Sequence, residues 1–165
     1  MNKLAKVIAI CGKICSGKSY YAKELKEKEK AVILSCDELC RGLFDEDLGE
    51  KHDETVSRIQ RYLRKKAIEL VSVGCNVILD WGFWSAESRI SLTAFFTLYG
   101  VPCQWHYLEI DDQIWQEYIA LRNRKILNGE EKEDYYVDDG LLNKFLQSWE
   151  APSREEIQIW HRVQH

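Results

Sequence analysis

The chain has 165 residues and a mass of 19.4 kDa, with 45% hydrophobic and 30% charged residues, a balance that supports a packed core without disulfides or metals. Its 27 acids against 23 bases give a net charge of -4, which argues against a nucleic-acid-coating surface while leaving room for a local basic cleft, so nucleic acid is not the expected partner. No apolar run approaches the ~20 residues needed to cross a bilayer. The run Val7 to Cys11 is too short for a signal peptide and is followed by Lys13 and Lys18, so one cytoplasmic domain over residues 1–165 is expected.

In chain order, Lys3 to Cys11 holds a β-rich apolar run, read as a strand buried on both faces. Ser16 to about Lys28 reads as a helix with Tyr21, Ala22 and Leu25 on one side, and Ala31 to Ser35 as a second buried strand. Asp53 to Val73 carries the longest helical pattern, with Val56, Ile59, Leu63, Ala67, Leu70 and Val71 at spacings of three and four, stopped by Gly74. Asn76 to Asp80 is a third strand ending in an acid, and Ser85 is placed to cap a helix reaching Tyr99. Cys103 to Ile110 predicts a fourth strand, and Asp111 or Asp112 a cap for a helix to about Leu127. The polar stretch Asn128 to Asp134 reads as a mobile loop, Asp138 to Trp149 as a short helix and Ile157 to Val163 as a last strand. Strands alternating with helices predict an α/β domain with a mostly parallel five-stranded sheet, whose ligands bind beyond the carboxyl ends of the strands.

The six cysteines form no CxxC pair, and His52, His106, His161 and His165 show no zinc-binding spacing. The cysteines are therefore expected as small buried hydrophobes. The residues with a chemical signature are Gly12, Lys13, Ile14, Cys15, Ser16, Gly17, Lys18 and Ser19, a complete G-x-x-x-x-G-K-[ST] between a strand and a helix. In this composition the pattern arises by chance with odds of about 0.3%. Gly12 and Gly17 let the backbone turn its N–H groups toward phosphate oxygens, and the helix N-terminus adds partial positive charge. Lys18 has the reach for the β- and γ-phosphates, and the Ser19 hydroxyl can ligate Mg²⁺. The [NT]-K-x-D sequence of guanine-specific GTPases is absent. Asp80 is followed by Trp81, where a motor-type ATPase carries a water-activating glutamate. Both features favour a small kinase, which presents an acceptor hydroxyl other than water.

On these motifs the chain resembles small P-loop kinase-like proteins, the group labelled AAA-family ATPase or predicted kinase, which is similar to chloramphenicol phosphotransferase, zeta toxins and polynucleotide kinase domains. The resemblance rests on the P-loop and on Leu34-Ser35-Cys36-Asp37-Glu38-Leu39. It also rests on Val77 to Trp84, Ser85-Ala86-Glu87-Ser88-Arg89, Arg122-Asn123-Arg124 and Trp149-Glu150-Ala151-Pro152. It implies an NMP-kinase-like fold with a short lid at about 122–137, ATP and Mg²⁺ as cofactors, and a small-molecule acceptor. A nucleotide or polynucleotide 5′-hydroxyl kinase, or an ATP-binding switch or toxin-like module with little turnover, are the alternatives.

Asp37, two residues past the second strand, can take the acceptor proton, the role of the matching aspartate in the resembled kinases, or can serve as a helix N-cap. Asp80 can hold Mg²⁺ through water or join the Lys18 and Ser19 network, or be a buried carboxylate bonded to backbone. Arg41 and Arg89 are candidate acceptor contacts, Arg89 alternatively lying on a solvated helix face. Trp81 and Trp84 make a candidate aromatic wall, or pack the sheet-to-helix turn. Arg122 interrupts the stripe Trp115, Tyr118, Ile119 and Ile126 and is a candidate phosphate contact, whereas Arg124 faces elsewhere unless the helix has already ended.

Overall fold

A computed structural model describes residues 4–45 and 48–164; Met1, Lys3 and His165 lie outside them. Five strands form one sheet in the order β2-β3-β1-β4-β5, where β1 is Val7–Gly12, β2 Ala31–Ile33, β3 Asn76–Gly82, β4 Cys103–Glu109 and β5 Ile159–Arg162. Every pairing is parallel. Six α-helices connect and flank the strands: α1 Lys18–Glu29, α2 Cys36–Leu43, α3 His52–Ser72, α4 Ala86–Leu98, α5 Asp112–Leu127 and α6 Asp139–Ser148.

The uniformly apolar strand β1 takes the central place, and all six of its residues are buried. A strand with no polar residue can only sit where both faces are covered, which a parallel sheet between helices supplies. Val7, Ala9 and Cys11 pack on one face with Ala67, Leu92, Phe96 and Trp105, and Ile8 and Ile10 on the other with Ala22, Leu25 and Leu108. A third cluster around Ile14, Trp115, Val137 and Phe145 fastens the segment after β1 to α5 and α6.

The helix caps follow the sequence closely. Ser85 Oγ accepts from Ser88 N, Asp111 from Gln113 N and Asp138 from Leu141 N. Gly74, at φ 85°, continues the chain beyond α3 in the left-handed region that favours glycine. Several expectations are corrected. β2 is a three-residue edge strand with Val32 exposed, because only β3 pairs with it. The segment Asn128 to Asp134 is bonded to itself and to α5, with Glu130 N and Glu131 N donating to Lys125 O and the Glu131 carboxylate accepting from Glu133 N and Asp134 N. β3 does not end at Asp80 but runs to Gly82, with an irregularity: Ala9 pairs with Leu79 but Cys11 with Gly82, so β3 carries one extra residue opposite Ile10. Such a bulge re-aims side chains, here those of Asp80 and Trp81.

Arg89 is corrected as well. It is neither on a solvated face nor turned to a cavity, but 2% exposed at the second turn of α4. Its Nε donates to Glu156 Oε1 at 2.9 Å and one terminal nitrogen to Phe83 O at 2.9 Å. Phe83 has φ 51° and follows Gly82 at φ 87°, so the guanidinium pins the carbonyl of a left-handed turn that any other donor would have to enter the core to reach. Breaking a buried ion pair by removing one partner is strongly destabilising. Arg89→Ala is therefore expected to lower stability by about 3 kcal/mol in urea unfolding. A loss below about 0.5 kcal/mol, the usual range of surface changes, would contradict this role.

Candidate functional site

The segment Gly12 to Ser19 joins the carboxyl end of β1 to α1. Cys15 at φ 56° and Gly17 at φ 92° turn the chain, and α1 begins with Gly17 as an N-cap that offers no side-chain bond. The amides of the first turn of α1 are thus left for an external acceptor. A methyl group built on Gly17 meets nothing within 4 Å, while one on Gly12 would lie 2.9 Å from Ser16 Oγ and 3.3 Å from Leu108 O. Gly12 is required by packing and Gly17 by backbone angle, leaving open space outside the loop. Ser16 Oγ is buried without a partner.

Lys18 folds back over this loop, its Nζ donating to Gly12 O at 3.1 Å and Lys13 O at 2.6 Å. No ion pair reaches it among the described residues, and burial pulls its pKa down from 10.5 to about 8, with Asp80 opposing the shift. A buried ammonium with only carbonyl partners is a site short of an anion. Lys13 and Ile14 serve the loop differently. The Lys13 ammonium pairs with Asp112 at 2.7 Å and lies 4.4 Å from the Trp115 ring centroid, so its side chain turns toward α5; Ile14 is buried and its carbonyl accepts from Trp115 Nε1 at 2.6 Å. Cys15 is buried, and burial raises its thiol pKa. Ser19 is exposed on the first turn of α1.

Asp37 and Asp80 come together. Burial, then the Asp37 charge, raises the Asp80 carboxyl from 3.8 to about 6, while Lys18 lowers it. The capping role open to Asp37 falls to Ser35, whose Oγ accepts from Glu38 N at 3.2 Å. Asp37 lies in the first turn of α2, exposed. It is free of structural duty as a cap.

Two cavities lie in this region, one of them against the loop. One, of about 210 Å³, is lined by Cys15 and Gly17, by Tyr118, Leu121, Arg122 and Lys125 of α5, and by Glu131 and Asp134. Arg122 is here, 3.6 Å from Asp134 and 5.5 Å from the Tyr135 ring centroid. α5 continues to Leu127, so Arg124 is exposed on another side and lines neither cavity. Asn123 ties α5 to the segment before α6, its amide accepting from Val137 N at 2.8 Å and donating to Val137 O at 2.9 Å.

The other cavity, of about 340 Å³, is lined by Gln60 and Arg64 of α3, by Trp81, Phe83 and Trp84, and by Ser85, Ser88 and Ser148. One of its lining residues comes near the loop: a methyl on Gly82 would sit 3.0 Å from Trp84 Nε1 and 3.7 Å from Lys18 Cε, so Trp84 and Lys18 approach the same point. Trp81 and Trp84 fill both roles open to them. Trp81 Nε1 donates to Leu34 O at 2.8 Å and Trp84 meets Phe145 edge-on, while both line the cavity. Arg41 is exposed on α2 and, like Arg89, is not among the lining residues.

Three residues of this region escaped sequence reasoning. Gln60 and Arg64 sit inside an ordinary amphipathic helix pattern and carry no motif. Tyr135, 42% exposed, has its ring beneath the Arg122 guanidinium at 5.5 Å. The adjacent tyrosines Tyr135 and Tyr136 in an otherwise charged loop were the only available signal. The six cysteines are all free thiols, and no group of three or more His, Cys, Asp or Glu that could hold a metal occurs among the described residues. No helix among them is long and apolar enough to cross a membrane.

Comparison with solved structures finds the same architecture at low identity. The Mycobacterium tuberculosis APS kinase CysC, solved with AMPPNP and APS, is 19% identical with a TM-score of 0.67, covering 98% of this chain and 90% of that one. A gluconokinase from Sinorhizobium meliloti is 15% identical, TM-score 0.62, covering 98% and 83%. Chaetomium thermophilum Kti12, in complex with ADP-AlF3, is 14% identical, TM-score 0.68, covering 95% and 88%. No match is found among curated protein sequences. The family described as "AAA domain" matches residues 7–152, nearly the whole chain, and with an all-parallel sheet whose central strand feeds a P-loop, the chain belongs to that family and has a P-loop kinase-like fold.

Proposed function

We propose that the protein is an ATP-dependent phosphotransferase moving the γ-phosphate to a hydroxyl of a small-molecule acceptor. The observation that carries this reading is a second cavity in addition to the one against the P-loop: the smaller is lined by Gly17 and Arg122, and Trp84 of the larger approaches Gly82 together with Lys18. A hydrolase or switch needs one ligand site beside the loop; a transferase needs two. The volume of about 340 Å³ suits a metabolite rather than a polymer.

In this reading the triphosphate takes the place of the Gly12 and Lys13 carbonyls at the Lys18 ammonium, and the amides of the first turn of α1 bind its oxygens. Arg122 exchanges Asp134 for phosphate and offsets charge on the transferred group. Asp37 accepts the acceptor's proton and aims its oxygen for in-line attack. Ser19, exposed beside the loop, and Asp80, facing Lys18, are an all-oxygen pair suited to Mg²⁺ held largely through water. When bound there, the ion would offset the negative charge of the phosphate oxygens.

Incubation with Mg-ATP and a pool of small metabolites is expected to yield a product heavier by one phosphate in mass spectrometry. Mg-ATP at 100 times its dissociation constant should stabilise the protein by about 2.7 kcal/mol, and Lys18→Ala should remove most of that gain while the unliganded protein still folds. An undiminished shift would overturn the loop assignment.

Asp37→Asn leaves the Ser35 cap and the nucleotide contacts in place, so ATP binding should be retained while acceptor phosphorylation falls about 10²- to 10⁴-fold. Phosphorylation near the wild-type rate would remove Asp37 from the chemistry.

Asp80 gives a pH-dependent test. Its folded pKa of about 6 lies above the ordinary 3.8, so the charged form costs stability at neutral pH, and the cost fades as pH falls through about 6 toward 4. Asp80→Asn should melt higher than wild type near pH 7 without nucleotide, the gap closing by about pH 4, and should lose the Mg²⁺-dependent part of the ATP shift. A variant that melts lower near pH 7 would contradict the assignment.

A further inference from the structure

The larger cavity holds a cation with nothing to bind. Arg64 lies in the middle of α3, half-buried, and its Nε is buried without a hydrogen-bond partner. One terminal nitrogen makes only a long contact of 3.4 Å to Ser91 Oγ, and the guanidinium carbon stands 5.7 Å from the Phe95 ring centroid. No ion pair reaches it among the described residues. Burial pulls its pKa down with no neighbouring acid to offset the effect. Sequestering Nε unpaired is costly in the empty protein, and the cost is relieved by an acceptor that brings its own anion. A planar fork of donors matches a carboxylate, sulfate or phosphate, and the arginine carrying it lines the cavity.

The rest of the lining agrees. Trp81, Phe83 and Trp84 supply flat apolar surface, and Ser85, Ser88 and Gln60 supply neutral hydrogen-bonding groups. Among the described residues no acidic side chain lines the cavity, so an anion meets no repulsion from them, whereas a cationic acceptor would face Arg64 without a counter-charge from them. Gln60 is also held, bonding the Cys36 thiol beside Asp37, which ties the floor of the cavity to the helix of the proposed base.

We propose that the acceptor is an anionic hydroxyl compound whose carboxylate, sulfate or phosphate group is bound by Arg64, with its hydroxyl directed toward Asp37 and Lys18. This rests on the phosphotransferase reading above and adds to it the charge class of the acceptor and the residue that selects it.

The test supplies γ-labelled Mg-ATP together with small water-soluble metabolites split on an anion-exchange resin into a retained anionic pool and a neutral flow-through pool. Transfer of label to a product other than inorganic phosphate is expected from the anionic pool alone. With that pool Arg64→Ala should raise the acceptor KM about 10- to 100-fold, with a smaller change in kcat, and Arg64→Lys should recover part of the loss. The Mg-ATP thermal shift of each variant reports whether it folds. Sodium sulfate and sodium acetate, added singly to the wild-type reaction, separate a site for tetrahedral anions from one for carboxylates by which of them competes with the acceptor. Labelled product from the neutral pool alone, or an unchanged KM in folded Arg64→Ala, would overturn this inference while phosphoryl transfer stood. Labelled product from neither pool would overturn both.

Discussion

A lysine ammonium buried at the carboxyl end of the central strand, with two backbone carbonyls as its only hydrogen-bond partners, is the condition to which the rest of the site answers. Carbonyls do not neutralise the charge, and the depressed pKa of Lys18 measures the shortfall. An uncapped helix N-terminus lies beside it, Arg122 lines the smaller cavity, and the Asp80 charge acts on it. The cations and helix end together suit a polyanion. On the reading proposed above, Asp37 and Asp80 are the groups for a hydroxyl and a metal ion.

The scaffold holds these groups with a small number of backbone devices. Central β1 has no freedom, being buried throughout and paired on both sides, so the loop that leaves it starts from a fixed point. The extra residue in β3 turns Asp80 and Trp81 out of the regular pleat, and the Gly82-Phe83 turn beyond it is held by buried Arg89. Asn123 does the same for the segment before α6 by gripping both polar groups of Val137. In each case a polar side chain satisfies backbone that could not otherwise be buried.

Much of this could be read before the coordinates. The P-loop pattern, the strand and helix alternation, and the caps at Ser85 and Asp138 depend on local chemistry that a single sequence displays. Arg122 was distinguishable from Arg124 because it broke an apolar stripe, and the helix does continue past both. What could not be read depends on residues far apart in the chain. Arg89 looks like any exposed helical arginine until Glu156 and Phe83 are seen beside it. Arg64 sits in a polar-looking register, and only the arrival of Trp81 and Trp84 from β3 turns that register into a cavity wall. The bulge at Asp80 leaves no sequence signal, since one additional residue in an apolar strand has no composition of its own. Ser35 took the cap from Asp37 because a cap needs extended backbone two or three residues before the amide it binds, and Ser35, at φ -105° and ψ 126°, has it.

The two cavities draw on different stretches of chain and share no lining residue among those described. The smaller is lined by the P-loop, α5 and Glu131 and Asp134, the larger by α3, the end of β3 and the turn after it, the start of α4 and the last residue of α6. Substitutions that reshape one need not disturb the other, and additivity is expected between them wherever their residues share no neighbour. A fold divided in this way can keep a constant energy donor while its choice of recipient drifts, which makes the α3 face, rather than the P-loop, the region where relatives of this chain would diverge in chemistry.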